Sequence, residues 1–212
     1  IIGMSDYKRI LSLDSAMAVV QFKKDHVVYQ RNYFISYPAN VMVMRFSADQ
    51  PGKQNLVFSY APNPVSTGNM ASDGNKGLVY SASLDNNGMK YVVRIQAETK
   101  GGTLFNADGK LTVKGADEVV FYITADTDYK PNFDPDFKDS KTYVGVNPEE
   151  TTKEWMNNAV SQGYTALFSQ HYNDYAALFD LVKLNLNPAI KGKNMPTPQR
   201  LKNYRAGHPD YN

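Results

Sequence analysis

Cysteine is absent from this 212-residue chain, and histidine is rare. Without cysteine there is no disulfide framework and no thiolate nucleophile, although this alone fits cytoplasm and periplasm equally. The three histidines are His26 near a predicted turn, His171 on an apolar helix stripe and His208 in the C-terminal stretch. A shared metal or catalytic site would need three unrelated segments to converge. His171 is better explained as a packed helix residue than as a ligand.

Long apolar runs and clustered charge are also missing. No segment approaches the roughly 20 consecutive apolar residues of a membrane span. The net charge is +2, and the 23 Lys and Arg residues are spread along the chain. We therefore expect neither a membrane nor a nucleic acid as partner. A glycine-rich phosphate loop, a Gly-x-Ser-x-Gly motif and a His-x-x-x-His pair are not found, so we predict no cofactor, no metal and no catalytic residue in this chain.

What the sequence does contain is alternation of apolar and polar residues through its first 126 positions, which predicts β-strands. The alternation is clearest at 91–98 and 119–125. Further strands are expected at 6–13, 16–23, 27–35, 41–46, 56–61, 78–84 and 111–114. Short strands separated by Gly- and Asn-rich turns, with no helical period between them, predict a mainly β fold, an antiparallel β-sandwich.

The pattern becomes helical at Asn147. Asn147 suits a helix cap, Pro148 the first helical position, and Glu150 the third position of a capping box. One helix is expected near 148–162, ended by Gly163, and a second near 164–182. The pair is predicted to form a hairpin that packs on the sandwich through Trp155, Leu167, Phe168, Tyr175, Leu178 and Phe179.

These patterns predict three parts of the chain. Residues 1–146 form the sandwich, and 147–187 form the helical linker with a short strand around Leu184 and Leu186. Residues 188–212 form a proline-rich polar tail with one short helix opened by Thr197-Pro198, which is typical of a connection to another domain.

The richest polar segment, 126–139, directly follows the last long strand. Its candidate binding residues are Tyr129, Asn132, Asp134 and Asp136, because such side chains stack on sugars and hydrogen-bond to them. A solvated, proline-stiffened connection is an alternative, and a calcium site another, although the Gly and Glu of an EF-hand loop are missing. A glycosidase acid/base pair is not expected, since its carboxylates must be held rigidly at a defined separation.

Four segments resemble motifs of the glycoside hydrolase family 95 α-L-fucosidases, in the family's order. Residues 35–49 resemble an "ASYP" turn followed by "VIVVRLTAD", and 6–16 resemble "YRRxLDLDTA". Residues 171–184 are similar to "HxxDYxxLFxRVxL", and 196–201 to "PTxxRL". The departures are small: Met42 and Met44 stand where the family has branched aliphatics, and a core tolerates this exchange.

The resemblance implies a supersandwich, then a helical linker, then an (α/α)6 barrel that removes terminal α-L-fucose, or in some members α-L-galactose, with inversion. In the family the acid Glu, the water-positioning Asn residues and their Asp partner lie in the barrel, and none maps onto this chain. The chain begins after the family's "LNEDTLW" region, so the first strands of the sandwich are expected to be missing from it.

On this basis the chain is expected to be a non-catalytic N-terminal fragment of an exo-acting, inverting enzyme that is periplasmic or secreted. Its expected partners are its own barrel and the glycan substrate. The segment 126–139 is expected to face the side where the barrel docks. A large apolar surface near the hairpin and tail is expected to mark the barrel's place, with Leu201 and Tyr204 of the tail packing against it. A stand-alone carbohydrate-binding β-sandwich is the alternative, and a purely structural sandwich a further one.

Overall fold

A computed structural model describes residues 3–133, 142–183 and 195–208 of the chain. Eleven strands precede two helices in these ranges: β1 (Met4–Ser12), β2 (Met17–Lys24), β3 (Val27–Ser36), β4 (Val41–Ala48), β5 (Gln54–Ser59), β6 (Ser66–Ser72), β7 (Gly77–Leu84), β8 (Lys90–Lys100), β9 (Thr103–Ala107), β10 (Lys110–Ala116), β11 (Glu118–Thr127), α1 (Pro148–Phe179) and α2 (Thr197–Arg205). In this part of the chain no helix is both long and apolar enough to cross a membrane.

The strands form two antiparallel sheets. The larger has the order β1-β2-β3-β4-β11-β8-β7-β6, and the smaller has the order β5-β10-β9. The mainly β, antiparallel sandwich predicted from alternation is therefore confirmed. Two strands, β6 and β9, were not predicted. β6 is an edge strand that pairs with β7 through its backbone, so its Ser-, Gly- and Asn-containing sequence needs no alternating apolar face.

The first core lies between the two sheets. Phe121 of β11 is fully buried there, and its ring stacks on Phe58 of β5 with the centroids 4.7 Å apart. The same core contains Met44, Leu78, Ile95, Ala97, Leu111, Val113, Ala116 and Val119. Because successive side chains of β11 point to opposite faces, its intervening residues require a second cover.

That second cover is α1, which packs on the other face of the large sheet. Val120 and Tyr122 of β11 lie in this second core with Phe34, Val41, Val43, Met156, Ala159 and Leu167. The Tyr122 hydroxyl donates a hydrogen bond to Glu98 over 2.9 Å. Burial, followed by this bond to Glu98, raises the pKa of Tyr122 well above its usual range.

The two predicted helices are present as the two parts of α1, which meet at Gly163 and cross the sheet in succession. The backbone carbonyl of Thr152 accepts a hydrogen bond from the hydroxyl of Thr124 on β11 over 3.0 Å. The Arg45 guanidinium of β4 lies over the Tyr164 ring, 4.9 Å from its centroid. Further along, the Nε2 atom of His171 lies 3.1 Å from a backbone carbonyl oxygen in the turn before β2. The contacts thus advance from β11 towards the β1 side, and the chain does not fold back on itself between them.

His171 has the packing role expected from the sequence. It is buried, and its ring stacks on Phe34 with the centroids 5.0 Å apart. Its Nε2–H donates to the carbonyl of Ala16. Farther along the helix, Leu178 is 71% exposed and Phe179 is 42% exposed.

The chain forms two compact units, Ile1–Ala176 and Ala177–Asn212. The second unit contains the end of α1 and the helix α2, which begins at Thr197, where the sequence predicted a short helix. Lys183 and Asp180 form an exposed ion pair in it. The predicted short strand around Leu184 and Leu186 lies outside the described residues.

A break at Gly163 divides α1. Its backbone has φ 72° and ψ 171°, a conformation that is essentially confined to glycine. A Cβ added there would meet no atom within 4 Å, so it is the backbone conformation and not space that requires glycine. Residues on both sides of the break, such as Met156 and Leu167, lie in the same core.

An arginine network fixes the start of α1 to the sheet. The Arg94 guanidinium, on β8, donates to Glu149 over 2.8 Å and to Asp73 over 3.0 Å. Its Nε donates to Thr152 over 3.3 Å. The arginine side chain is only 9% exposed, and a buried charge needs a partner. The carboxylates of Asp73 and Glu149 supply it from the two sides of the sheet-helix junction.

We predict that Gly163→Ala lowers the free energy of unfolding by about 1–3 kcal/mol, because alanine does not tolerate this conformation. Thermal and urea unfolding measure the change. Asn157→Ala, at an exposed position of the same helix, is the control and is expected to change stability by less than about 0.5 kcal/mol. Equal stability of both variants would show that the break does not need glycine.

We also predict that Arg94→Met lowers the free energy of unfolding by about 2–3 kcal/mol, because it leaves Asp73 and Glu149 without their cation. The loss is smaller than for a fully buried pair, since these carboxylates remain 30% and 34% exposed. Lys153→Met, at an exposed position of α1, is the matched control. Similar unfolding midpoints for the two variants would contradict this role.

Candidate functional site

The segment singled out from the sequence leaves the sheet at the end of β11. Asp128, only 7% exposed, accepts a hydrogen bond from the backbone N–H of Lys90 over 2.9 Å. The Asp128 N–H in turn donates to the carbonyl of Lys90 over 3.0 Å. This carboxylate therefore fixes the end of β11 to the start of β8, and its oxygens have a structural task.

The returning chain closes the base of the segment. The Lys130 N–H donates to the backbone carbonyl of Tyr143 over 2.7 Å, and the Gly145 N–H donates to the backbone carbonyl of Asp128 over 2.6 Å. Tyr129 and Val144 form an isolated antiparallel bridge, and the rings of Tyr129 and Tyr143 stack with centroids 5.9 Å apart. The base is thus a short two-stranded ladder with an aromatic pair beside it.

The four candidate binding residues fare differently. Tyr129 is 55% exposed and stacks on Tyr143, and Asn132 is exposed. Asp134 and Asp136 lie outside the described residues, so their role in binding stays a prediction. Within the described ranges, no three His, Asp or Glu side chains are grouped so that they could hold a metal ion. The calcium alternative depends on the three aspartates of the segment that lie outside the described residues, and it stays a hypothesis.

Several other carboxylates serve the fold. Glu98 accepts from Tyr122, Glu118 pairs with Arg45, and Asp117 accepts from the Gly52 N–H over 2.7 Å. The Arg45 pair is charge-assisted, and its hydrogen bond to Glu118 raises the pKa of Arg45 above its ordinary value. These groups are committed to holding strands and turns, so they are poor candidates for proton transfer to a substrate.

Two grooves open on either side of Asp126, at the end of the large sheet. The first, of about 490 Å³, is lined by Tyr60, Asn63, Leu84, Met89, Tyr91, Val92, Val93, Ala125, Asp126 and Thr127. Its tyrosines form a cluster in which Tyr80 lies 5.4 Å from Tyr60 and 6.0 Å from Tyr91, between ring centroids. Burial, and then the neighbouring Tyr91 and Tyr80, raise the pKa of Tyr60.

The second groove, of about 570 Å³, lies between the β3–β4 turn, the end of β11 and the first half of α1. It is lined by Ile35, Ser36, Tyr37, Asn40, Val41, Met42, Ile123, Ala125, Asp126 and Trp155. Asp126 is the polar residue common to both grooves, and one of its oxygens accepts a bond from the Thr127 N–H over 2.8 Å.

Sequence reasoning found Asp126 as the start of the polar segment but did not bring Tyr37 and Trp155 to it. Tyr37 was noted only within the "ASYP"-like turn, and Trp155 only as a packing residue. These residues are far apart in sequence, and the crossing of α1 over the sheet brings Trp155 to the end of β11. No local pattern could have predicted that proximity.

Comparison with known proteins places the fold in a family. Residues 3–132 match the family model described as glycosyl hydrolase family 65, N-terminal domain. The chain belongs to this family of N-terminal domains. A probable α-fucosidase A from Aspergillus niger is 30% identical over 93% of the chain, and an α-L-fucosidase 2 from Arabidopsis thaliana is 24% identical over 95% of it. The resemblance to α-L-fucosidases is thereby confirmed, although the matching model carries the number 65 and not 95.

Both relatives are much longer proteins. The chain spans 25% of the Aspergillus niger protein and 26% of the Arabidopsis thaliana protein. A solved structure described as a putative kojibiose phosphorylase from human microbiome shares the fold, with a TM-score of 0.52 over 81% of this chain. The domain covers 24% of that structure at 10% sequence identity, so the likeness concerns the fold alone.

We predict that Asp128→Ala lowers the free energy of unfolding by about 1–2 kcal/mol, because the Lys90 N–H loses a charged acceptor. Limited proteolysis of the 129–145 segment is expected to become faster, since this bond holds its base. Asp174→Ala removes an exposed aspartate from α1 and is the control. Unchanged cleavage and stability of Asp128→Ala would refute the structural role of its carboxylate.

Proposed function

We propose that this chain is the non-catalytic N-terminal sandwich and linker of an exo-acting, inverting glycoside hydrolase of the α-L-fucosidase type, in family 95. The observation that carries the proposal is the match to an N-terminal domain model combined with alignment to only about a quarter of each α-fucosidase relative. The expected boundaries 1–146, 147–187 and 188–212 remain part of this proposal.

The chemistry of the described residues supports a non-catalytic role. Inversion needs a carboxylic acid and a carboxylate base about 6.5–9.5 Å apart, with room for a water between them and the sugar. Asp126 borders both grooves, but Asp128, its nearest acidic neighbour in sequence, is bound to the Lys90 backbone. An acid whose oxygens hold a strand end is poorly placed to protonate a leaving group.

The linker supports a role in positioning. Up to Ala176, α1 is fixed on the sheet by Arg94 near its start and by Tyr164 after the break, where the phenol accepts a bond from Asn32 over 3.4 Å. A helix held at several points gives a downstream domain a defined starting point. In this proposal the partner is the protein's own (α/α)6 barrel, which would bind terminal α-L-fucose or α-L-galactose in a periplasmic or secreted enzyme.

Hydrolysis assays test the proposal. We expect the 212-residue chain to show no turnover of aryl α-L-fucosides or α-L-galactosides above the buffer rate, because general acid/base catalysis needs positioned groups that it lacks in the described ranges. A longer protein that includes the downstream residues is expected to be active on one of them. Turnover by the short chain that survives repurification, and is lost in Asp126→Asn, would contradict the non-catalytic assignment.

A further inference from the structure

The second groove beside Asp126 combines aromatic surface with polar groups. Trp155 is the only tryptophan of the chain, and it lines the groove from α1. Tyr37 is 81% exposed at the tip of the β3–β4 turn, where the Asn40 N–H donates to the Tyr37 carbonyl over 3.2 Å. Exposed aromatic rings on a firmly bonded turn give a stacking surface at low entropic cost.

Polar groups whose hydrogen-bonding atoms the fold does not fully use line the same groove. The Ser36 Oγ is buried and has no hydrogen-bond partner among the described residues. The Asn40 side chain is exposed beside it, and Asp126 retains an oxygen beyond the one that accepts from Thr127. Ser36 itself is fully buried, so the polar groups that a ligand in the groove can reach are those of Asn40 and Asp126.

The size and charge of the groove restrict its ligand. Its volume of about 570 Å³ lies within the range of small-molecule sites. Among the residues that the structure describes, its lining contains a carboxylate but no lysine or arginine. Anionic ligands would therefore meet a like charge without a compensating cation, whereas neutral hydroxylated ligands can donate hydrogen bonds to Asp126.

We propose that this groove is a carbohydrate-binding subsite that holds one residue of a neutral glycan, with a sugar face on Trp155 or Tyr37 and sugar hydroxyls on Asp126 and Asn40. Apolar surface alone would suit a protein partner equally, since Ile35 is also 67% exposed. The concave shape and the convergence of the Asp126 carboxylate and the Asn40 amide favour the sugar. A protein docking surface is the outcome that the experiment must separate.

The inference goes beyond the proposed function and can fail separately from it. Turnover of an aryl glycoside decides whether the chain is catalytic, whereas the groove is tested by binding. If the chain is inactive and binds no sugar, only the subsite is wrong. If it binds sugar and also hydrolyses it, only the non-catalytic assignment is wrong.

The single tryptophan supplies the measurement. Selective excitation of Trp155 is expected to show a saturable change with methyl α-L-fucoside, L-galactose or a fucosylated oligosaccharide, with Kd values of about millimolar for the single sugars. L-galacturonate, which differs from L-galactose only in its C6 carboxylate, is expected to bind at least about fivefold more weakly than L-galactose, because of repulsion by Asp126. Calorimetry with the oligosaccharide gives an independent affinity.

Matched variants locate the binding. Asp126→Asn keeps an acceptor for the Thr127 N–H and is expected to weaken sugar binding about tenfold, since bonds to charged groups are the stronger ones. Tyr37→Ala is expected to weaken it at least about threefold. Asp108→Asn and Tyr7→Ala change residues that do not line the groove, so they are the controls and are expected to stay within about twofold of the unmodified chain.

Thermal unfolding checks that each variant is folded. Saturable binding of neutral sugars that Asp126→Asn and Tyr37→Ala weaken and the two controls leave intact would establish the subsite. No saturable response to any of the neutral sugars would overturn it, and so would binding that both groove variants leave unchanged. Tighter binding of galacturonate than of L-galactose would overturn the neutral class of ligand.

Discussion

Burial of both faces of β11 is the constraint on which the rest of the structure depends. Val119 and Phe121 point into the core between the sheets, and Val120 and Tyr122 point to the opposite side. Each fully buried side chain of this size contributes about 1.5–3 kcal/mol relative to exposure. A strand that is apolar on both faces cannot remain at a solvent surface, so the small sheet and α1 are both required as covers.

The placement of α1 follows from that constraint and from a small set of polar contacts. The helix must lie over Val120 and Tyr122, but apolar packing does not fix its direction. Arg94 fixes its start through Glu149 and Thr152. Past the break at Gly163, the chain continues across β4 and β3 with apolar residues still on the sheet. The direction of the helix thus comes from its polar contacts, and its attachment to the sheet comes from buried apolar area.

The same arrangement creates the grooves at the end of the sheet. β11 extends to Thr127, beyond its last paired residue opposite β4, and α1 passes above this end. Asp126 therefore lines both grooves, whereas the Asp128 carboxylate accepts the hydrogen bond that joins the end of β11 to the start of β8. Two aspartates only two positions apart therefore have different roles: Asp128 stabilises the fold, and Asp126 lies where a ligand can reach it.

The sequence by itself determined the antiparallel sandwich and the strands other than β6 and β9, because alternation directly reports which side chains face a core. It also determined the start of α1, through Asn147 and Pro148, and the position of its break, through Gly163. It did not determine β6, whose pairing relies on the backbone, or the crossing path of α1, which depends on Arg94 meeting carboxylates from distant segments. Only the tertiary structure brought Trp155, Tyr37 and Asp126 to one groove, since contacts between residues so far apart in sequence arise from packing and have no local pattern.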